Sequence, residues 1–509
     1  MVARINTLAF QGMNAVKVDV QVHLSPGKMV FNTVGLPDKA IGESRERVRS
    51  ALSAIGLGLP PERITVNLAP ADLPKEGSHY DLPIALGLMV AMGALPPEAV
   101  EGFVAIGELS LDGRIGGVPG ALPAAMAAMS WGLGLTCPAD CGPEAAWSGL
   151  DSPDNYGIIA ADHILQLINH LRETQILPPP EPRIEMAQVD MPDMSDVRGQ
   201  PQARLALEVA AAGGHNLLFT GPPGAGKSML AARLPGILPP LQSKQRLEVT
   251  TIKSLSSGGS GVNMASHRPF RAPHHSASMA ALIGGGRQAK PGEISLSHNG
   301  VLFLDELPEF SRQTLDALRQ PIETGEVEIA RAEAHITYPA NFQLVAAMNP
   351  CRCGHANDPE LACHRIPQCI NEYLGRLSGP LLDRFDIRVE VPPVSLRDML
   401  SPDSGEKSAD IAKRVAHAQK VQLDRNKGCL NANLDGELLR DLARPDEEGQ
   451  VLIDKITNEA MSSKLTARGY NRIIRVARTI ADLEGCENLA ARHIASAMVW
   501  RGMASDVKG

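Results

Sequence analysis

The sequence predicts a multidomain α/β protein of three units: a mixed α+β unit, an α/β core with a mostly parallel sheet, and an all-α unit at the C-terminus. Three observations carry this. The chain has 509 residues, too many for one compact core, and usual domain sizes imply about three units. Between Val197 and Pro393, short apolar runs such as "NLLFTG", "VLFLDE" and "FQLVAAMN" alternate with helical stretches, the pattern of a parallel sheet. After about Leu396 the strand-like runs cease, and "SADIAKRVAHAQKVQLDRNK", "EEGQVLIDKITNEAMSS" and "YNRIIRVARTIADLEG" carry helical periodicity.

Taken in order, residues 1–172 hold β-rich runs, "AVKVDVQVHL" and "FVAIGELSLDGRIGG", separated by the helical stretches "IGESRERVRSALSAIG" and "ALPAAMAAMSWG". Residues 173–196 include the proline-rich, aperiodic "LPPPEPRIEMAQVDMPDMSD" and read as a linker. The core spans 197–393 and the helical unit 394–509. A hydrophobic fraction of 44% with 21% charged residues is ordinary soluble composition. There is no unbroken apolar run of about 18 residues to span a membrane. The N-terminus lacks a basic region followed by an apolar one, so no membrane partner is expected and the cytoplasm is the expected compartment. Eight cysteines in a chain of this length do not make a disulfide framework, which points them toward metal, catalysis or burial. A net charge of −8 gives no global nucleic-acid signal, so any such signal must be local.

"FTGPPGAGKSML" fits G-x-x-x-x-G-K-[ST] over Gly221, Pro222, Pro223, Gly224, Ala225, Gly226, Lys227 and Ser228, after strand-like "NLLF" and before helix-like "SMLAARL". The glycines let backbone N–H groups approach phosphates, Lys227 reaches the β/γ-phosphates, and the Ser228 hydroxyl ligates Mg²⁺. A chance glycine-rich turn would look the same locally but would not bring the acids of "VLFLDE". That apolar strand ends in Asp305, an acid for the Mg²⁺ shell, and Glu306, a carboxylate able to activate the attacking water. Two acids ending a buried strand are seldom structural, because a buried carboxylate without a partner is costly. "FQLVAAMNP" ends in Asn349, a neutral group able to orient that water. In "GPLLDRFDI", Arg384 is either a surface ion pair or, presented to a neighbouring subunit's nucleotide, a stabiliser of transition-state charge.

The order "GPPGAGKS", "VLFLDE", "AAMN", "LLDRFD" resembles an AAA+ ATPase. "RPFRAPHHSAS", "PGEISLSHNGVLFLDELPEF", "LRQPIETGEV" and "RGYNRIIRVARTIADLEG" extend the resemblance to its magnesium-chelatase-like group over nearly the whole chain. The resemblance implies an AAA+ P-loop core with a helical lid, ATP and Mg²⁺ as cofactors, and a homo-hexameric ring. It makes Lys227 and Ser228 the Walker A residues, Asp305 and Glu306 the Walker B pair, Asn349 sensor 1 and Arg384 a trans-acting finger. Arg468 becomes sensor 2, with Arg472 one turn later as competitor. It also implies a DNA motor of the branch-migration helicase type acting on recombination intermediates, as in natural transformation, with branched, single- or double-stranded DNA as partner. A chelatase-type ATPase subunit for metal insertion and a protein-remodelling ATPase are the competing readings.

Between Val249 and Gly292 there is no Asp or Glu, while Lys253, Arg268, Arg271, Arg287 and Lys290 are present with His267, His274 and His275. On a glycine-rich segment such cations suit phosphate-backbone contact, although a solvated loop would read alike. A second candidate is "GEVEIARAEAHITYPANFQ", a predicted hairpin with Arg331, and His335 beside it, at the tip. The expected DNA contacts are therefore Arg268, Arg271, Arg287, Lys290 and Arg331. The resemblance makes these segments, the basic one over 253–292, the pore-lining insert and hairpin of related helicases. With aromatics at 3% and no stacked set in either segment, base stacking is not expected.

Two further features need placing. "PKEGSHYDLPIALGL" and "GELSLDGRIGGVPGAL" resemble the active-site segments of the Lon-protease-like (ribosomal S5 domain 2-like) fold. The family's Ser position here is His79 and its Lys position falls near Leu122, so the resemblance implies a Lon-like unit without peptidase machinery. Ser78, adjacent but out of register, with His79 and Asp81 is the remaining nucleophile set. The insert 351–369 holds Cys351-x-Cys353, nine residues, Cys363, five residues, and Cys369. Clustered soft ligands point to a structural Zn²⁺, and reduced loop thiols are the alternative. The paired C-x₂-C knuckles of the strongest zinc signatures are missing. Relatives often carry a C-x-C where this chain has Arg365, which leaves the fourth ligand open among Cys369, His364 and His355.

Overall fold

The computed structural model describes residues 2–149, 157–183, 191–258, 261–286, 289–330, 335–354, 365, 367–395, 398, 405–442, 445–460 and 466–501. The N-terminal unit is a seven-stranded sheet of β1 (Val2–Gln11), β2 (Asn14–Ser25), β3 (Val30–Val34), β4 (Arg63–Ala69), β5 (Phe103–Ala105), β6 (Gly134–Pro138) and β7 (Ile158–Ala161). Their order is β3-β4-β2-β1-β5-β6-β7. Alternation along β2 buries Val18, Val20 and Val22, the period-2 pattern of a strand with one covered face. Helix α1 (Lys39–Ala54) starts where the Asp38 carboxylate accepts from the Ile41 N–H at 2.9 Å. Helix α2 (Asp81–Ala91) lies flat on the sheet, and a side chain at Gly87 would meet Val22 Cγ2 at 2.6 Å.

The core is a five-stranded parallel sheet of β8 (Leu217–Thr220), β9 (Phe270–Arg271), β10 (Val301–Leu304), β13 (Gln343–Met348) and β14 (Ile387–Glu390), ordered β9-β10-β13-β8-β14. Helices cover both faces, so the strands read as continuous apolar runs, and all four residues of β10 are buried. α4 (Pro201–Gly213), α5 (Lys227–Ile237) and α6 (Ser243–Ser256) belong to this unit. The predicted hairpin forms from β11 (Glu326–Ala330) and β12 (His335–Pro339), antiparallel, after the short helix α7 (Arg319–Thr324). Its tip residue Arg331 lies outside the described residues.

Helix α8 (Gln368–Leu374) follows the cysteine segment, and the helical unit includes α9 (Ser408–Arg425), α10 (Ala467–Leu483) and α11 (Ala491–Val499). Asp482 on α10 is buried and accepts from Arg425, Arg478 and Asn431, a carboxylate whose lone pairs are all used. His215 and Thr479, 2.8 Å apart, and the Gln419 amide donating to Ala211 O at 2.8 Å bind this unit to the core. Among the described residues no helix is long and apolar enough to cross a membrane.

A buried acid sits at the junction of the N-terminal unit and the core, beside the Gly120 N–H bond to Ser254 O at 3.2 Å and the packing of Phe10 and Met13 on the core. Glu144 accepts from the Leu122 N–H at 3.0 Å at the start of α3 (Ala121–Ser130), and across the junction from the Ser254 hydroxyl and the Val262 N–H, the latter at 2.9 Å. Leu122 thus meets the carboxylate through its backbone, at the position where the resemblance would have put a lysine. Bonds to a charged acceptor hold about 1.5–3 kcal/mol each. Glu144→Ala should loosen the junction, seen as cleavage between the units by dilute protease at least tenfold faster than in the parent.

Candidate nucleotide site

The register of the parallel sheet assembles the site. Thr220 of β8 pairs with Met348 of β13, and Leu304 of β10 with Ala346. The residues that follow these strands (the Gly221 loop, Asp305 and Asn349) therefore emerge side by side at the carboxyl edge, the crevice where open α/β sheets bind ligands. Gly224 (φ 76°) and Gly226 (φ 90°) occupy the left-handed region, and at Gly221 a side chain would stand 2.2 Å from the Val391 carbonyl. The loop closes onto α5, whose N-terminal N–H groups face the position of a phosphate.

Lys227 is buried and donates to Gly221 O at 2.7 Å, Pro222 O at 2.8 Å and Asn349 Oδ1 at 3.1 Å. Burial pushes its pKa below the ordinary lysine range, against the pull of Asp305 and Glu306. The Ser228 hydroxyl donates to Asp305 Oδ2 at 2.6 Å. A hydroxyl and a carboxylate meeting at a helix N-terminus are the hard oxygen donors that Mg²⁺ takes, and Lys227 with the loop N–H groups fits a triphosphate, so these residues fit ATP and Mg²⁺. Glu306 is exposed and sits at φ 51°, a left-handed conformation that costs a non-glycine residue about 1 kcal/mol or more. Its carboxylate lies 3.5 Å from His275 Nδ1. Composition marked His275 only as part of a basic segment; its contact with Glu306 depends on where β9 ends, which the sequence does not display.

The cysteines stand against this site. Sγ atoms of Cys351, Cys353 and Cys369 lie within 4.8 Å of one another, and a side chain at Gly354 (φ 85°) would meet Pro223 of the phosphate loop at 2.4 Å. One turn along α8 from Cys369, Tyr373 packs on the Asn349 backbone and burial pushes its pKa up to about 12. Cys363, His355 and His364 lie outside the described residues.

The arginines stand elsewhere. Asn216, at the opposite end of β8, donates through Nδ2 to Arg384 O at 3.1 Å and receives the Asp386 N–H at 3.0 Å. Arg384 is thus one strand length, roughly 15 Å, from the phosphate loop of its own chain. A cleft of about 1390 Å³ gathers Arg319, Glu323, Arg384, Asp386, Arg468 and Arg472 there. Arg472 is half-buried, its Nε 3.3 Å from the buried Asp386, and Arg468 is exposed. Both sensor-2 candidates line this cleft with Arg384, away from their own chain's phosphate loop.

The expected DNA contacts divide. Arg268 is turned inward, donating to Pro239 O at 2.7 Å and Asn299 O at 2.8 Å, and Arg271 pairs with Glu293 at 2.6 Å. Lys253 lies within α6, where burial lowers its pKa. Both arginine guanidinium groups are thus committed to intramolecular partners: charge counting located the cations, but not the carbonyls and the acid just past the segment that engage them. Lys290 is exposed and lines a cavity of about 340 Å³ with Ser78, His79 and Tyr338. Arg287 and Arg331 lie outside the described residues.

Three family models match the chain: "Magnesium chelatase, subunit ChlI" over 193–399, "Subunit ChlI of Mg-chelatase" over 20–139, and "Magnesium chelatase, subunit ChlI C-terminal" over 405–501. Competence protein ComM of Haemophilus influenzae is 43% identical over 507 residues, 98% of this chain and 97% of that protein. YifB of Escherichia coli is 43% identical over 502 residues, with the same shares. The chain belongs to the magnesium-chelatase-like ChlI/ComM/YifB family. Members share its ATPase domains, and this chain is an ATP-hydrolysing enzyme. The chloroplast magnesium-chelatase subunit ChlI-1 of Arabidopsis thaliana aligns over only 38% of this chain, at 23% identity. Likeness to ComM and YifB thus runs over nearly the full length of the chain, and likeness to the chloroplast subunit does not.

The family's N-terminal unit carries the last sequence-predicted cluster, and its members are bonded apart. Ser78 Oγ donates to Glu108, His79 Nε2 lies 2.9 Å from Leu8 O, and Asp81 accepts from Arg47 and Ser44. The Leu8 carbonyl requires an N–H at His79 Nε2, and burial holds this imidazole's pKa below its ordinary value. Below about pH 6.5 the unfolded chain binds a proton that the folded ring resists. Stability should therefore fall as pH drops from 7.5 to 5.5, by up to about 1.4 kcal/mol per unit from this group. Calorimetric unfolding should show a smaller decline in His79→Gln, which keeps a donor but does not titrate.

Proposed function

We propose that this chain is the protomer of a hexameric, ATP-driven DNA motor of the branch-migration type, acting in the cytoplasm on recombination intermediates. One observation carries the ring: Arg384, Arg468 and Arg472 sit at the far end of the sheet from the phosphate loop of the same chain. Beside Lys227, these arginines reach a phosphate loop only when a neighbouring subunit brings them, so hydrolysis belongs to the interface. In this reading Lys227 neutralises the β/γ-phosphates, Ser228 and Asp305 hold Mg²⁺, Glu306 takes the proton of the attacking water and Asn349 orients that water. Arg384 from the neighbour meets the charge that develops on the leaving side.

DNA as the partner is supported by full-length likeness to a protein named for competence and by the hairpin β11–β12 beside the exposed Lys290. Contact would be electrostatic and indifferent to sequence. The N-terminal Lon-like unit serves as a docked collar. Cys351, Cys353 and Cys369 would hold a structural Zn²⁺ that staples the segment between Asn349 and α8, supported by their mutual approach.

Purified protein with ATP should move a fluorescent four-way junction and leave a blunt duplex unaltered, with ATP turnover stimulated by DNA. No junction movement together with no stimulation would sink the motor. Lys227→Ala and Arg384→Ala should each lower turnover at least 100-fold, in line with loss of one transition-state donor. Mixing Arg384→Ala with Glu306→Gln should partly restore it, since some interfaces then regain both groups. For the thiols, mass spectrometry of the native protein should find one zinc per chain, and a chelator should lower the unfolding temperature. A metal-free protein indifferent to chelation overturns that assignment.

A further inference from the structure

Arg384 is withdrawn rather than presented. Its side chain is 10% exposed, Nη2 pairs with Glu323 Oε1, Nη1 donates to Pro380 O at 2.5 Å, and the buried Nε has no hydrogen-bond partner. Burial lowers its pKa, and the charges of Arg319, Arg472 and Arg468 act in the same direction, while Glu323 opposes them. A guanidinium in this setting needs an anion.

Glu323 is badly placed for its own helix. It occupies the last turn of α7, directly before Thr324 and the capping Gly325 (φ 70°), where the helix dipole disfavours an acid. Its side chain is 59% exposed, so burial does not fix it either. What it does serve is Arg384, in a cleft where Arg319, Arg468 and Arg472 also converge.

We propose that Glu323 is a positioning residue for the finger: it holds Arg384 in the withdrawn position until a neighbouring subunit's phosphate replaces the carboxylate. The exchange is anion for anion, so the guanidinium is never left bare, and a phosphate offers it more charge and more acceptor oxygens than a single carboxylate. Glu323 is also built into the base of the hairpin. Thr324 Oγ1 donates to Glu326 O at 3.1 Å, the Gly325 N–H to Pro321 O at 2.9 Å, and the Ala340 N–H to Gly325 O at 2.7 Å. Displacement of β11–β12 by a bound partner therefore moves the carboxylate, which couples partner binding to release of the finger.

This rests on the ring-motor reading of Arg384, and the test separates the two. In full-length protein, Glu323→Gln keeps the shape and removes the charge. Turnover without DNA should rise about fivefold, the range that a partly exposed pair holds, the ratio of DNA-stimulated to unstimulated turnover should shrink, and KM for ATP should stay unchanged. Glu323→Asp, which keeps the charge on a shorter arm, should fall between. Glu323→Gln added to Arg384→Ala should match Arg384→Ala alone. If Arg384→Ala abolishes turnover but Glu323→Gln behaves as the parent, lowers both rates equally, or changes the Arg384→Ala background, only the Glu323 assignment fails. If Arg384→Ala leaves turnover intact, the finger reading fails and this assignment with it.

Discussion

The site depends on register more than on any one side chain. In a parallel sheet every strand presents its carboxyl end to the same edge, so pairing β8 with β13 at Thr220–Met348 and β10 with β13 at Leu304–Ala346 fixes the heights of Gly221, Asp305 and Asn349 relative to one another. A slip of one residue would turn each strand's side chains to the other face and carry Lys227, Asn349 and the Ser228–Asp305 pair apart. That register is held because the strands are buried on both faces, and there is no solvent side on which a slipped strand could settle.

The same geometry divides the chemistry. Everything that follows a strand lies at one edge and everything that precedes a strand at the other. Arg384 precedes β14 and α10 packs beside it, so the cations collect where β8 begins, around Asn216 and the buried Asp386. The phosphate loop and the arginine cluster therefore lie at opposite edges of one sheet. In the proposed ring these become two half-sites, a heterologous arrangement whose head-to-tail contacts close when the rotation permits.

Much of this was legible in the sequence. The multidomain α/β class with a helical C-terminal region, the hairpin, and the order of loop, acids and asparagine follow from apolar periodicity and motif spacing, although Glu306 is exposed and not buried as its place at the end of an apolar strand suggested. What was not legible involves partners distant in the chain. Arg268 and Arg271 count as cations in any composition, but Asn299 O and Glu293 are what occupy them. His275 meets Glu306 across about 30 positions of sequence, and Glu144 reaches Leu122, Ser254 and Val262 across two units. Arg468 sits away from its own phosphate loop because of how α10 docks, and docking is decided by shape rather than by a motif. Spacing within a motif travels with the motif; contacts between segments do not.

Those long-range contacts tie the site to segments distant from it in the chain. Residues of the candidate site meet residues of other segments: Glu306 meets His275 of the insert, Asn349 meets Tyr373 of α8 behind the cysteines, and Pro223 is closely approached by Gly354. Arg384 is held by Glu323 at the foot of the hairpin. None of these holds is a deep, satisfied network of the kind around Asp482, and two of the residues concerned, Glu306 and Glu323, are exposed. Contacts to exposed carboxylates are readily exchanged, because the free energy at stake is of the order of a partly exposed pair. In the proposed motor these groups are released and recaptured once per cycle, and weakly held groups are the ones that a partner bound by charge can move.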